Sequence, residues 1–269
     1  MNIATTPAPA KVPTIGERLR DWRRKRRLSQ LDLALDAEIS TRHLSFLETG
    51  RATPSRDMVL RLAECLEVPL RERNALMLAA GYAPVFPDRA FDDPSLATVR
   101  AAVEAVLHAH MPFPALAIDR RWIMLSSNAA LAPLLAGVSP KLLDGPVNVL
   151  RVSLHPEGVA PRIANLAEWR GHILSRLRRQ LADSGDAELA DLIKELSAYP
   201  GGEAHPRAGE GLIAAPLRLN TPDGELSFLS ATMTFGSPLD VMVSELAIET
   251  FLPVDAATAR ALGAQSISS

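Results

Sequence analysis

Thr41, Arg42, Ser45 and Phe46 fall on one face of any helix that contains them. Short hydroxylated side chains and an arginine at the exposed start of a helix suit the major groove of DNA, where arginine reads the acceptor pair of guanine. Phe46 on that face favours apolar contact with a thymine methyl over a hydrogen bond. Ser40, just before, can cap the helix by accepting from a first-turn N–H. A second chemistry lies upstream, in the basic run Arg20, Arg23, Arg24, Lys25, Arg26 and Arg27. Such a run is often only a solvated face. Beside a groove-sized helix it reads instead as phosphate contact, with Arg23 and Arg26 among the contacting residues, giving affinity without sequence discrimination.

Other chemistries are weaker. Gly209-Glu210-Gly211-Leu212-Ile213-Ala214 fits a loose dinucleotide fingerprint, but it precedes a strand instead of joining a strand to a helix. His108 and His110 diverge at two-residue spacing on a helix, with no further ligand to complete a metal set. His155 has no nucleophile motif to serve and reads as a structural hydrogen-bonding residue. The single cysteine, Cys65, excludes an internal disulfide framework and reads as a buried thiol. No catalytic residue, metal site or cofactor is expected.

The reading face needs a scaffold of short helices. A first helix spans about residues 15–27, with Thr14 and Glu17 as a capping box and Leu19 and Trp22 inward. Ser29 caps a second, with Leu31, Ala34 and Leu35 expected inward. Leu44 and Leu47 face inward from the third, and Gly50 closes it. Helices over about residues 55–66 and 70–80 follow, the last stopped by Gly81.

This stretch resembles the Cro/phage-repressor (XRE) helix-turn-helix family over residues 14–68. The motif runs Leu28-Ser29-Gln30, Leu33-Ala34, Ser40, Leu44, Leu47-Glu48-Thr49-Gly50-Arg51, Pro54-Ser55, Leu60, Leu62-Ala63 and Leu66. The resemblance implies that Gln30 contacts DNA, that Thr41, Arg42 and Phe46 occupy base-reading positions, and that Arg51 touches phosphate. The family often has glycine in the turn near position 38, where this chain has Glu38.

The net charge of −2 hides an asymmetry: residues 1–82 carry 14 Lys and Arg against 10 Asp and Glu, the remainder 15 against 21. A basic head on an acidic body suits a chain that meets phosphate at one end. With 47% hydrophobic and 22% charged residues the composition is that of a soluble protein. No apolar run is long enough to span a membrane and no secretory signal is seen, so a cytoplasmic protein is expected.

Residues 1–13 read as a disordered arm, 14–82 as the DNA-binding domain, 83–92 as a linker and 261–269 as a tail, with weak order from Asp255. Residues 93–260 mix helices with strands. A helix over 94–110, capped by Asp93, carries the stripe Leu96, Val99, Val103, Val106 and Leu107. Residues 115–118 and 122–125 make a hairpin, and a helix over 129–136 follows Asn128. Helices over 160–183 and 187–199 come next, the first with Arg176, Arg178 and Arg179 complementing its dipole. After the loop 200–211, strands over 212–220 and 225–235 flank the turn Thr221-Pro222-Asp223-Gly224, and a last strand covers 245–253. In the strand after that turn, Leu229, Ala231, Met233 and Phe235 are expected inward. The fold class is therefore an all-α N-terminal domain plus an α+β domain with one antiparallel sheet.

Asp119-Arg120-Arg121-Trp122-Ile123 with Asn128-Ala129-Ala130 resembles PAS-type domains. Together with Leu154-His155-Pro156-Glu157, Glu225-Leu226-Ser227-Phe228, Pro238-Leu239-Asp240 and the run from Glu245 to Pro253, it is similar to the MmyB-like transcription regulators. That resemblance implies an XRE module joined to a PAS-like ligand-binding domain, a homodimer, and a small apolar ligand such as a fatty acid. Leu116, Ile118, Trp122, Met124, Leu131, Leu135, Phe228 and Met233 would converge between sheet and helices, where such folds keep a cavity. The expected function is sequence-specific transcription regulation on double-stranded DNA. The alternative is a DNA-tethered interaction module or enzyme without small-molecule sensing.

Overall fold

The structure is a computed structural model and describes residues 13–204 and 215–263. The expected N-terminal arm, the Gly209–Ala214 run, His205 and most of the tail lie outside the described residues. The chain forms two compact units, the first made of the residues up to Asp88 together with Leu239–Val241, the second of the rest.

The first unit is helical: α1 (Ile15–Lys25), α2 (Gln30–Asp36), α3 (Thr41–Glu48), α4 (Arg56–Cys65) and α5 (Leu70–Ala79). Local signals set the starts. Thr14 and Glu17 form a reciprocal capping box, as do Ser29 and Asp32. Ser40 accepts from the His43 N–H and Ser55 from the Met58 N–H. Leu19, Trp22, Leu33, Leu44, Leu47 and Leu62 make the core. Leu31 and Leu35, expected inward, are 56% and 67% exposed. At about 100° per residue, the buried arc of α2 is set by Leu33, Ala34 and Ala37, and Leu31 lies nearly opposite Leu33. Cys65 is only half-buried; burial pushes its thiol up. Residues 83–88, expected as linker, are partly tied back, since Asn74 accepts from the Val85 and Phe86 N–H groups.

Each of these helices ends the same way. A residue in the left-handed region follows, and the next N–H reaches back to the carbonyl five residues earlier: Leu28 to Arg23, Ile39 to Ala34, Arg51 to Phe46, Val68 to Ala63 and Tyr82 to Met77. Gly50 and Gly81 supply the left-handed residue in two cases; Arg27, Glu38 and Glu67 do so in the others, with φ of 57°, 54° and 47°. Glu38 thus adopts the conformation that glycine would take, and the turn keeps its form.

The second unit contains α6 (Ala97–Ala109), β1 (Ala115–Ile118), β2 (Met124–Ser127), α7 (Val149–Leu154), α8 (Leu166–Ser184) and α9 (Ala187–Ala198). There follow β3 (Leu217–Thr221), β4 (Gly224–Thr234), α10 (Val241–Glu245), β5 (Ala247–Pro253) and α11 (Ala256–Ala261). The strands form one sheet in the order β2-β1-β5-β4-β3, every pair antiparallel. This is the α+β class with one antiparallel sheet read from the sequence. On one face, Val103 and Leu107 of α6 pack against Ala115, Ala117 and Ile248. On the other, α7, α8 and α9 pack against Leu116, Leu219 and Phe228.

Three elements differ from expectation. Residues Ala129–Leu135 form a 3₁₀ stretch, since Pro133 inside it removes an N–H that an α-helix would use. Pro161 and a break at Asn165 delay the long helix, so α8 begins at Leu166. The supposed weakly ordered tail from Asp255 forms α11, because Asp255 caps it and Thr258, wholly buried, accepts from the Ser227 N–H of β4.

Candidate DNA-reading face and ligand cavity

α3 presents Arg42 to solvent, with Thr41, Ser45 and Phe46 half-buried, and sets Leu44 and Leu47 in the core. Phe46 is flanked by two guanidinium groups, Arg42 at 5.3 Å and Arg51 at 6.0 Å from its ring centroid. Among the described residues, neither Arg42 nor Arg51 has a carboxylate or carbonyl partner. Ser40 lies at the same end of α3, its hydroxyl oxygen engaged as the cap. These are the features expected of a face that meets base edges and phosphates.

Gln30, Arg23 and Arg26 are placed differently. The Glu48 carboxylate is enclosed and receives Arg23 Nε at 2.6 Å, Arg23 Nη2 at 2.8 Å and Gln30 Nε2 at 2.8 Å. Burial pushes the Glu48 carboxyl up, but bonds from Arg23 and Gln30 and the charges of Arg23 and Arg20 outweigh it, holding the group below the usual carboxylate range. Arg23 also donates to the Leu28 carbonyl, and Arg20 to the Glu48 carbonyl. Arg26 donates to the carbonyls of Leu66 and Glu67 and caps the end of α4. Arg23 and Arg26 are therefore tied into the domain, and Gln30 keeps its amide oxygen and one amide N–H for an outside partner. The reason is periodicity: Arg20, Arg23 and Arg26 recur every third residue on the side of α1 facing its neighbours. Arg24 and Arg27 are the exposed arginines of the run.

In the second unit a cavity of about 110 Å³ lies between the sheet and the helices. Leu116, Trp122, Met124, Leu131 and Leu135 line it, as do Trp169 and Phe251. Ile118 and Phe228, expected to line it, are buried in the surrounding core instead. Met233, also expected there, is 44% exposed on the opposite face of the sheet. Phe228 and Met233 are an odd number of residues apart, so one regular strand cannot aim both at the same side. β4 turns Leu226, Phe228, Ser230 and Thr232 inward and leaves Leu229, Ala231 and Met233 outside. The alternation is real, but the sequence reading assigned it to the wrong face.

A family model described as the MmyB-like transcription regulator ligand binding domain matches residues 99–264. The chain belongs to that family. A second model, a helix-turn-helix domain, matches residues 14–76. The chain is similar to an uncharacterized HTH-type transcriptional regulator, RghRB, of Bacillus subtilis (strain 168), at 39% identity over 74 residues. That match covers 27% of this chain and 51% of the relative, so the chain spans about half the length of the curated relative it matches. Among solved structures it is similar to the restriction-modification controller protein C.AhdI of Aeromonas hydrophila, at 32% identity and a TM-score of 0.21, over 22% of this chain and 89% of that one. An RNA-binding Light-Oxygen-Voltage receptor matches at 13% identity and a TM-score of 0.24, over 92% of this chain and 61% of the other. This chain is thus a transcription regulator with a helix-turn-helix DNA-binding domain and a ligand-binding domain. No helix among the described residues is long and apolar enough to cross a membrane.

In this MmyB-like regulator the sequence reading missed the polar side of the cavity. Arg176, read as complementing the α8 dipole, lies well before Ser184, where α8 ends, and lines the cavity. Its guanidinium stands 4.5 Å from the Trp122 ring centroid and donates to Glu249 at 2.6 Å. His172, one turn earlier, lines the cavity too, its ring stacked 5.6 Å from that of Trp169. The four-residue spacing of His172 and Arg176 on one helix face was the available signal.

Proposed function

We propose that this chain is a sequence-specific transcription regulator, working as a homodimer, whose DNA affinity is set by a small apolar ligand held in the second unit. The observation that carries the DNA reading is the outward face of α3, where Arg42 and Arg51 flank Phe46 without protein partners among the described residues. Arg42, Thr41 and Ser45 read base edges, Phe46 meets a thymine methyl and Arg51 meets phosphate. Gln30 adds a contact through its amide oxygen or its second amide N–H, and Ser40 through its hydroxyl hydrogen. A dimer supports specificity because two reading helices on two half-sites multiply the base pairs sampled. Light scattering on the purified full chain tests the stoichiometry; a monomer at all concentrations rejects it.

Arg42→Ala is expected to cost about 1–3 kcal/mol at one base pair and to relax preference there. Arg51→Ala is expected to weaken binding evenly across sequences and to lower the salt slope by about one phosphate. Mobility-shift titrations over a randomised operator library check both. An Arg42→Ala variant with unchanged preference rejects the assigned face.

The cavity supports ligand control because its wall is largely apolar and enclosed by sheet and helices. A ligand can shift DNA affinity only by its differential affinity for the two states of the regulator.

A further inference from the structure

Phe46 is a large apolar residue that the core of the first unit does not use. Its ring is half-buried, yet it belongs neither to the buried cluster nor to the side chains packed on that cluster. What the ring meets is charge. Arg42 lies one helical turn earlier, and its guanidinium stands over the ring, 5.3 Å from the centroid. Arg51 arrives by a separate route. Its backbone N–H donates to the Phe46 carbonyl at 2.8 Å across the Gly50 turn, and its guanidinium stands 6.0 Å from the same centroid.

The kind of anchor decides what an arginine has left for DNA. A carboxylate takes up N–H donors, as Glu48 does at Arg23 Nε and Nη2, and its charge repels phosphate. The π-face of a ring attracts a guanidinium without a net charge and without taking the N–H groups that point outward in the guanidinium plane. Among the described residues, Arg42 and Arg51 are thus held beside α3 with their side-chain donors free for base edges and phosphates. An unanchored arginine would instead give up its rotamer freedom on meeting the duplex. We infer that Phe46 is a positioning residue for DNA reading: its ring pre-sets Arg42 for the base edge and Arg51 for the phosphate, besides the thymine contact proposed above. The inference rests on the proposed reading face.

The test uses the full chain, the duplex that the wild-type chain selects from a randomised library, and the same duplex carrying uracil for thymine. Phe46→Leu keeps an apolar side chain and removes the π-face. It is expected to bind the selected duplex about fivefold more weakly, the effect of two exposed cation–π contacts. Discrimination is expected to fall at the base pair that Arg42→Ala also relaxes, and to fall on the uracil duplex too. Phe46→Tyr restores the ring and is expected to restore that discrimination. Discrimination is a ratio between duplexes, so a fraction of unfolded protein does not move it. Three results overturn the positioning role and leave the reading face standing: unchanged discrimination at that base pair in Phe46→Leu, a loss that vanishes on the uracil duplex, or a loss that Phe46→Tyr fails to restore. Unchanged discrimination in Arg42→Ala overturns the face and the inference together.

Discussion

Glu48→Ala is expected to destabilise the first unit by about 3 kcal/mol, the lower end of what breaking a buried ion pair costs. The Glu48 side chain has no exposed area and that of Arg23 has 12%. Truncation leaves the Arg23 guanidinium without a counter-charge and the Gln30 amide without an acceptor. The lower end applies because Arg20 and Arg23 can still draw water to themselves. Glu48→Gln keeps the shape and some of the hydrogen bonds, so a smaller loss is expected. The pH dependence follows from the direction of the Glu48 shift. Its folded-state carboxyl sits below its unfolded value, so its contribution is complete above about pH 4.3 and is lost as pH falls through the folded value. Glu48→Gln should flatten that acid limb. Hydrogen exchange localised to residues 14–82, followed against pH, is the measurement. An acid limb of unchanged steepness in Glu48→Gln would show that other carboxylates carry it.

Phe228→Ala is expected to cost about 3–5 kcal/mol, the range for emptying a phenylalanine site in a packed core. Phe228 is wholly buried and meets Phe251 edge to face, with ring centroids 6.3 Å apart. Met233→Thr, five positions along the same strand, is expected to cost far less, about 1 kcal/mol or below, because the residue is already 44% exposed. Chemical denaturation of both variants, with hydrogen exchange over β4 and β5, separates the two sites. A large loss for Met233→Thr would place that residue against a partner surface or a buried face.

These two sites mark where sequence was and was not enough. The starts of the first-unit helices were legible because capping is local: Thr14 with Glu17, and Ser40 before Leu44, declare themselves within one turn. The outward face of α3 was legible for the same reason, since Leu44 and Leu47 fix which side of α3 is inside. The use of Arg23 was not, because its partner Glu48 lies 25 residues away and no local pattern names it. Arg176 and Glu249, 73 residues apart, are hidden in the same manner. In β4 the alternation was plain, yet period two gives two faces and not their assignment. Phe228 in the core and Met233 in solvent are settled by β5 and the helices packed above, which are remote in sequence.

The repeated helix ending of the first unit has an engineering consequence. Arg27, Glu38 and Glu67 hold a backbone geometry that costs a side-chain-bearing residue roughly 1–2 kcal/mol more than it costs glycine. Glycine at such a position gives back about 0.5–1 kcal/mol through the freedom of the unfolded chain. The balance is a modest thermal margin that the natural sequence leaves unspent. It sits at three turns between helices, none of them on the outward face of α3 or in the wall of the cavity.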